Sequence, residues 1–157
     1  MSTNPIVERA QRFLAALRHC QVLGLSVHQA APEGLTLRLP YSTQIIGNPE
    51  TGVIHGGAIT TLMDTNCGIS TVCVLPDFEI CPTLDLRIDY MRPAEPHRDV
   101  FGFAECYRVT ENIIFTRGYA YQNDPGEPIA PVVGAFMRMG KVVKSGHELK
   151  RREQGGA

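Results

Sequence analysis

The chain has 157 residues, with 15 basic and 16 acidic side chains and a formal net charge of −1 at pH 7. That balance gives no electrostatic pull toward nucleic acid or a membrane surface, so neither is expected as a partner. The length suits one domain over 1–157, with a helical segment in 1–24, a core in 25–140 and a mobile basic tail in 141–157.

The apolar stretches stop well short of the ~18 residues a membrane helix needs, and "MSTNPIVERA" lacks the basic and apolar regions of an export signal. A soluble, cytoplasmic protein is expected. The first element is an amphipathic helix over "PIVERAQRFLAALRHCQVLG", with Pro5 at its start, Ile6, Phe13, Leu14, Leu17 and Val22 on or near one face, and Gly24 as its stop. Two alternating segments, "LSVHQAA" and "GLTLRLPYS", are split by Pro32, Glu33 and Gly34 and read as a hairpin. A loop from Thr43 to Ile54 leads to the corner His55-Gly56-Gly57.

Beyond the corner, Ala58 to about Leu75 has helical spacing and ends at Pro76 and Asp77. Four strand-like runs follow: "TLDLRIDYM", "DVFGFAECYRV", "IIFTRGYAYQ" and "IAPVVGAFMRMG". The order helix, two strands, long helix, four strands predicts an α+β fold with antiparallel pairing. Gly102, Gly118 and Gly134 fall 16 residues apart inside three successive strand runs. Tight turns between those runs would set the three glycines side by side as a crease, bending the sheet around the long helix.

The five cysteines, Cys20, Cys67, Cys73, Cys81 and Cys106, are scattered through apolar segments without a C-x-x-C pair, so reduced, mostly buried thiols are expected. His19, His28, His97 and His147 are too dispersed to suggest a metal site. No phosphate-loop, dinucleotide or serine-elbow motif is present.

The chemistry concentrates after the glycine pair. Gly56 and Gly57 open a helix, where the first N–H groups lack intrahelical acceptors and carry the positive end of the dipole. Such a corner can hold an oxyanion, although Gly-Gly is also a common turn device. Gly57, Thr61, Asp64, Gly68 and Thr71 form one stripe of small and polar residues, beside an apolar stripe of Ile59, Leu62, Met63, Ile69 and Cys73. An acid in so apolar a helix is either a satisfied structural or surface aspartate or a functional carboxylate in a cavity. Eight residues separate Gly56 from Asp64, which in one helix is about 12 Å along the axis. A water attacking a carbonyl must lie about 3 Å from its base while the carbonyl oxygen sits about 3 Å from its donor, so one copy of the helix can hardly supply both. A two-fold dimer can.

"GVIHGGAITTLMD", together with the later "TLDLRIDYMRPA", resembles the hot-dog-fold acyl-CoA thioesterases of the PaaI-like group, related to one class of 4-hydroxybenzoyl-CoA thioesterase. The resemblance covers roughly residues 43–140. It implies a long helix wrapped by a curved antiparallel sheet, a dimer paired through the strand from Thr83 to Tyr90, and often a tetramer. It also implies that Asp64 is the catalytic carboxylate, as general base or nucleophile, and that the Gly56 N–H polarises the thioester carbonyl from the facing subunit. His55 would position the site or the leaving thiolate, Asn48 would orient water or the carbonyl, and Thr83 would stand near the acid. Relatives place the asparagine six residues before the histidine. Here Asn48 precedes His55 by seven, so a loop bulge is expected to absorb an extra residue in "PET".

Gly57 is a second candidate amide donor, Met63, Leu84 and Phe78 are candidates to line the acyl pocket with a core position as the equal alternative for each, and Arg92 and Arg117 are candidates for the coenzyme A phosphates. His55 could equally be a loop histidine bonded to backbone, and Thr83 a plain β-former. The reading is thioester hydrolysis of an acyl-CoA substrate, with coenzyme A as part of the substrate and no separate cofactor or metal. A non-catalytic acyl-CoA-binding module and a hot-dog dehydratase or hydratase are the alternatives.

Overall fold

The computed structural model describes residues 4–140. The tail expected from 141 onward lies outside the described residues. Helix α1 spans Pro5–Ala16, capped by Asn4, whose side chain accepts from the Ile6 N–H. The single helix expected to run to Leu23 is broken at Leu17, which is extended with φ −93 and ψ 99, and resumes as α2, Arg18–Val22. The Gln21 side-chain amide donates to the Ala15 carbonyl and so closes the end of α1. The break has a packing reason, because it lets α2 turn its short face onto the long helix. There Cys20 Sγ meets Thr65 Oγ1 at 3.5 Å and His19 Nε2 meets Thr61 Oγ1 at 3.4 Å.

Strands β1, Ser26–Ala31, and β2, Gly34–Leu39, form the expected hairpin. The loop that follows is more ordered than the sequence suggests. A 3-10 turn at Thr43–Ile45 leads into a small ribbon, β3, Ile46–Asn48, against β4, Val53–Ile54. Helix α3 then runs Gly56–Ser70 and ends in a 3-10 turn, Thr71–Cys73. It begins two residues earlier than the apolar periodicity indicates, because His55 caps it and the glycines form its first turn.

The remaining strands are β5, Thr83–Ile88; β6, Val100–Val109; β7, Ile113–Tyr121; and β8, Ala130–Met137. With the hairpin they make one antiparallel sheet in the order β1-β2-β6-β7-β8-β5, so β5 is an edge strand. Helix α3 lies on one face, and Leu37, Leu39, Leu62, Met63, Ile69, Ile114 and Phe136 make the fully buried core between them. Burying these large apolar side chains is the main stabilising term, roughly 1.5–3 kcal/mol for each one removed from water.

The glycine crease is diagonal, not straight. Gly118 pairs with Ala104 and Val132, Gly102 pairs with Ala120, and Gly134 pairs with Thr116. Each glycine is therefore offset by two residues from its neighbour, on the same face, with Ala120 opposite Gly102 and Ala104 opposite Gly118. Gly118 is where the strands press hardest: a Cβ there would collide with the Phe103 carbonyl oxygen and lie 2.9 Å from Ala104 Cα. None of the helices among the described residues is long and apolar enough to cross a membrane.

Candidate active site

The chain reaches the site through the β3–β4 ribbon. The register shifts between Ile46 and Asn48, so the bulge sits at Gly47, on the strand before the turn and not within Pro49–Thr51. Asn48 Oδ1 accepts from the Glu50 N–H at 2.9 Å and its carbonyl accepts from the Gly52 N–H at 2.9 Å. The side-chain oxygen of Asn48 is thus engaged in shaping the turn.

His55 is the N-cap of α3, extended with φ −63 and ψ 131, and its Nδ1 accepts the Gly57 N–H at 2.9 Å. That bond needs the Nδ1 lone pair, so in neutral imidazole the ring proton sits on Nε2. It also engages the N–H of Gly57, the second candidate amide donor, within the chain. The Gly56 N–H, first in the helix, has no intrahelical acceptor and is absent from the cap and loop hydrogen bonds among the described residues.

Tyr90, which the sequence offers only as the end of a strand, completes the helix start. Its hydroxyl lies 2.6 Å from the Gly56 carbonyl oxygen and 2.7 Å from Thr60 Oγ1. A pocket of about 350 Å³ opens beside it, with Gly56, Ile59, Met91 and Arg92 among its walls. Arg92 also donates to the Glu127 and Pro128 carbonyls, which fixes its guanidinium at the rim.

Asp64 lies two turns along α3, half-buried, and its Oδ1 accepts from Thr83 Oγ1 at 2.8 Å. Plain alternation would put Thr83 on the same side as Asp85 and Arg87, away from the helix. The register shifts between Thr83 and Asp85, where Thr83 pairs with Phe136 and Asp85 with Ala135. Leu84 is the extra residue of a β-bulge, and that bulge turns Thr83 back to the helix side with Leu86. Leu84 itself is half exposed on the open edge.

Three other candidates stand elsewhere. Met63 is completely buried, with its sulfur packed toward Gly102 of β6, so it belongs to the core between helix and sheet. Arg117 is on the opposite sheet face, pairing with Glu105 at 2.6 Å over the Tyr107 ring, so the sheet separates it from α3. Phe78 packs on Phe13 of α1 with ring centroids 5.3 Å apart.

All five cysteines are free. Burial, with a smaller push from the Asp64 charge, raises the Cys67 thiol to about 12, and burial raises Cys73 and Cys106 to about 11. Such thiols carry almost no thiolate at neutral pH and are poor nucleophiles.

A long helix lying in a curved six-stranded antiparallel sheet is the hot-dog fold of thioesterases, and here a Gly-Gly turn opens that helix with an acid eight residues on. The chain belongs to the thioesterase superfamily, whose family model matches residues 51–129, the stretch that holds His55, Gly56, Asp64, Thr83 and Tyr90. A crystal structure from Pseudomonas aeruginosa is 82% identical, with a TM-score of 0.81, covering 86% of this chain and 100% of that one. A Halobacterium salinarum protein, named only as a candidate esterase, is 34% identical over 94 residues, which is 58% of this chain and 61% of that relative's length. The E. coli PaaI protein from the phenylacetic acid degradation operon shares the fold at 14% identity, with a TM-score of 0.75 over 87% of this chain and 94% of that one. Family membership supports thioester hydrolysis as the general chemistry.

Proposed function

We propose that the chain hydrolyses an acyl-CoA thioester at a site shared between two subunits. Asp64 activates water for attack on the carbonyl. The Gly56 N–H of the facing subunit stabilises the oxyanion, and coenzyme A leaves as its thiolate. The observation that carries this reading is the unbroken helix Gly56–Ser70, which holds the open amide and the acid apart, at a rise of about 12 Å. Two further features support it. The Thr83 hydroxyl fixes Oδ1 of Asp64, while Oδ2 takes no hydrogen bond among the described residues and is left for water. The edge position of β5 offers an unpaired strand through which two copies can join around a two-fold axis, laying their α3 helices side by side. Arg92 lines the pocket beside Gly56, which supports it as the cation for a coenzyme A phosphate in this reading.

The test is free-thiol release from short, long and aryl acyl-CoA thioesters by the wild type and an Asp64→Asn variant. Loss of a positioned base lowers kcat by roughly 10²–10⁴. Wild-type turnover no higher than the variant's on every substrate sinks the proposal. Tight binding without turnover in both proteins would make the chain an acyl-CoA-binding module.

A further inference from the structure

The start of α3 poses a physical problem for a helix asked to aim an amide. Glycine costs about 1 kcal/mol relative to alanine in a helix, so a Gly-Gly first turn is the segment most prone to fray. An oxyanion donor, in contrast, must be held to within about 0.5 Å and 10–20°.

The peptide unit joining Gly56 to Gly57 is gripped at both ends. Its N–H donates to His55 Nδ1 at 2.9 Å. Its carbonyl oxygen faces the Tyr90 hydroxyl at 2.6 Å and Thr60 Oγ1 at 3.1 Å, and those two hydroxyls lie 2.7 Å from each other. The Tyr90 ring also sits 3.5 Å from the position a Cβ would take on Gly56, so it covers the bare Cα. Tyr90 is itself anchored by the main chain on both sides, through Asp89 N–H to the Pro131 carbonyl at 3.1 Å and Met91 N–H to the Ile129 carbonyl at 2.9 Å. Its position is therefore set by the sheet and not by the glycines it holds.

We propose that Tyr90 is a positioning residue for the oxyanion-binding amide: by pinning the Gly56 carbonyl to the sheet, it keeps the neighbouring Gly56 N–H aimed at the substrate. The proposal rests on the reading of Gly56 as the oxyanion donor. It assigns to the segment around β5 a double role, with Thr83 at one end orienting the acid and Tyr90 beyond the other end orienting the amide.

The experiment is a double-mutant cycle between Tyr90→Phe and Gly56→Pro, with amide hydrogen exchange as a readout independent of activity. Tyr90→Phe keeps the ring and removes only the hydroxyl. It is expected to lower kcat about tenfold, the equivalent of one hydrogen bond, with KM changed less than about twofold. In the Gly56→Pro background, which has no N–H to aim, the same change is expected to lower kcat less than about twofold. The Gly57 amide is expected to exchange at least about fivefold faster in Tyr90→Phe. Unchanged kcat in Tyr90→Phe with an active wild type, or a full tenfold loss persisting in the Gly56→Pro background, overturns the proposal. A wild type that hydrolyses no thioester overturns the reading of the site, and unchanged Gly57 exchange then overturns the positioning role separately.

Discussion

Replacing Gly56 with proline removes the proposed oxyanion donor and sets the ring Cδ in the place of its hydrogen. Gly56 is the first residue of α3, the position where proline is best tolerated, because the lost N–H has no helical acceptor and a helical φ is close to what the ring imposes. The residue before a proline must be extended, and His55 is, with φ −63 and ψ 131. The nearest atoms to a new Cβ are those of the Tyr90 ring at 3.5 Å, an ordinary contact. Stability should hold or rise by up to about 1 kcal/mol, because the unfolded chain loses freedom. Removing one oxyanion donor costs about 2.7–4 kcal/mol of transition-state stabilisation, so kcat should fall by roughly 10²–10³ with KM little changed. Thiol release and thermal melting measure the two halves. Subunit mixing then tests the shared site. A heterodimer of Gly56→Pro with Asp64→Asn has one site with both defects and one with neither. Random 1:1 reassembly should therefore recover about a quarter of wild-type activity from two nearly inactive proteins. Activity of the mixture no greater than the mean of the two parents would refute the shared site. A loss smaller than about fivefold in Gly56→Pro, with its melt intact, would refute the donor assignment itself.

Two further predictions concern the scaffold. The Arg138 guanidinium, bonded to both oxygens of buried Glu79 at 2.6 and 3.1 Å, holds that carboxyl below its ordinary value of 4.5. A lowered folded value means that the stabilisation is present above about pH 4.5 and is lost as pH falls through the folded value, so Glu79→Gln should lower the melting temperature at pH 7, and the gap to wild type should shrink as pH falls below 4.5 toward the folded value. A gap that does not shrink would contradict it. In urea, Gly118→Ala should cost about 3 kcal/mol or more, because its Cβ would meet the Phe103 and Ala104 backbones. Gly102→Ala, which mainly meets the Met63 sulfur at 2.7 Å, should cost clearly less; equal losses would show that the backbone gives way at Gly118.

The fold was legible in the sequence because its strongest signals are long and periodic. The apolar spacing through Leu62, Met63 and Ile69 marks α3, and the glycines at 102, 118 and 134 mark a bent sheet. What failed to show was local. The break at Leu17 has no proline or glycine to announce it, and follows from packing of α2 on Thr61 and Thr65. Equal 16-residue spacing implies direct pairing of the three glycines, whereas the observed registers move each glycine two residues along. Met63 fell between two readings because its apolar stripe faces the sheet, and only burial separates a core side chain from a pocket wall.

The site was legible as residue types and illegible as orientation. His55, Gly56 and Asp64 stand in the sequence as a motif, yet nothing in the motif says that the histidine occupies the Gly57 amide and leaves only Gly56 open. Thr83 and Tyr90 show the same limit from the other side. Alternation along "TLDLRIDY" assigns Thr83, Asp85, Arg87 and Asp89 to one face. One bulge residue, Leu84, breaks that parity and brings Thr83 to Asp64, while Tyr90 stays in phase with Leu86 and Ile88 and reaches the start of the same helix. A regular β5 would have left the hydroxyl of one or the other pointing away from α3. The bulge is thus what allows one edge strand to touch both the acid and the glycine turn, and an edge strand is where the sheet can take an extra residue without a partner on both sides.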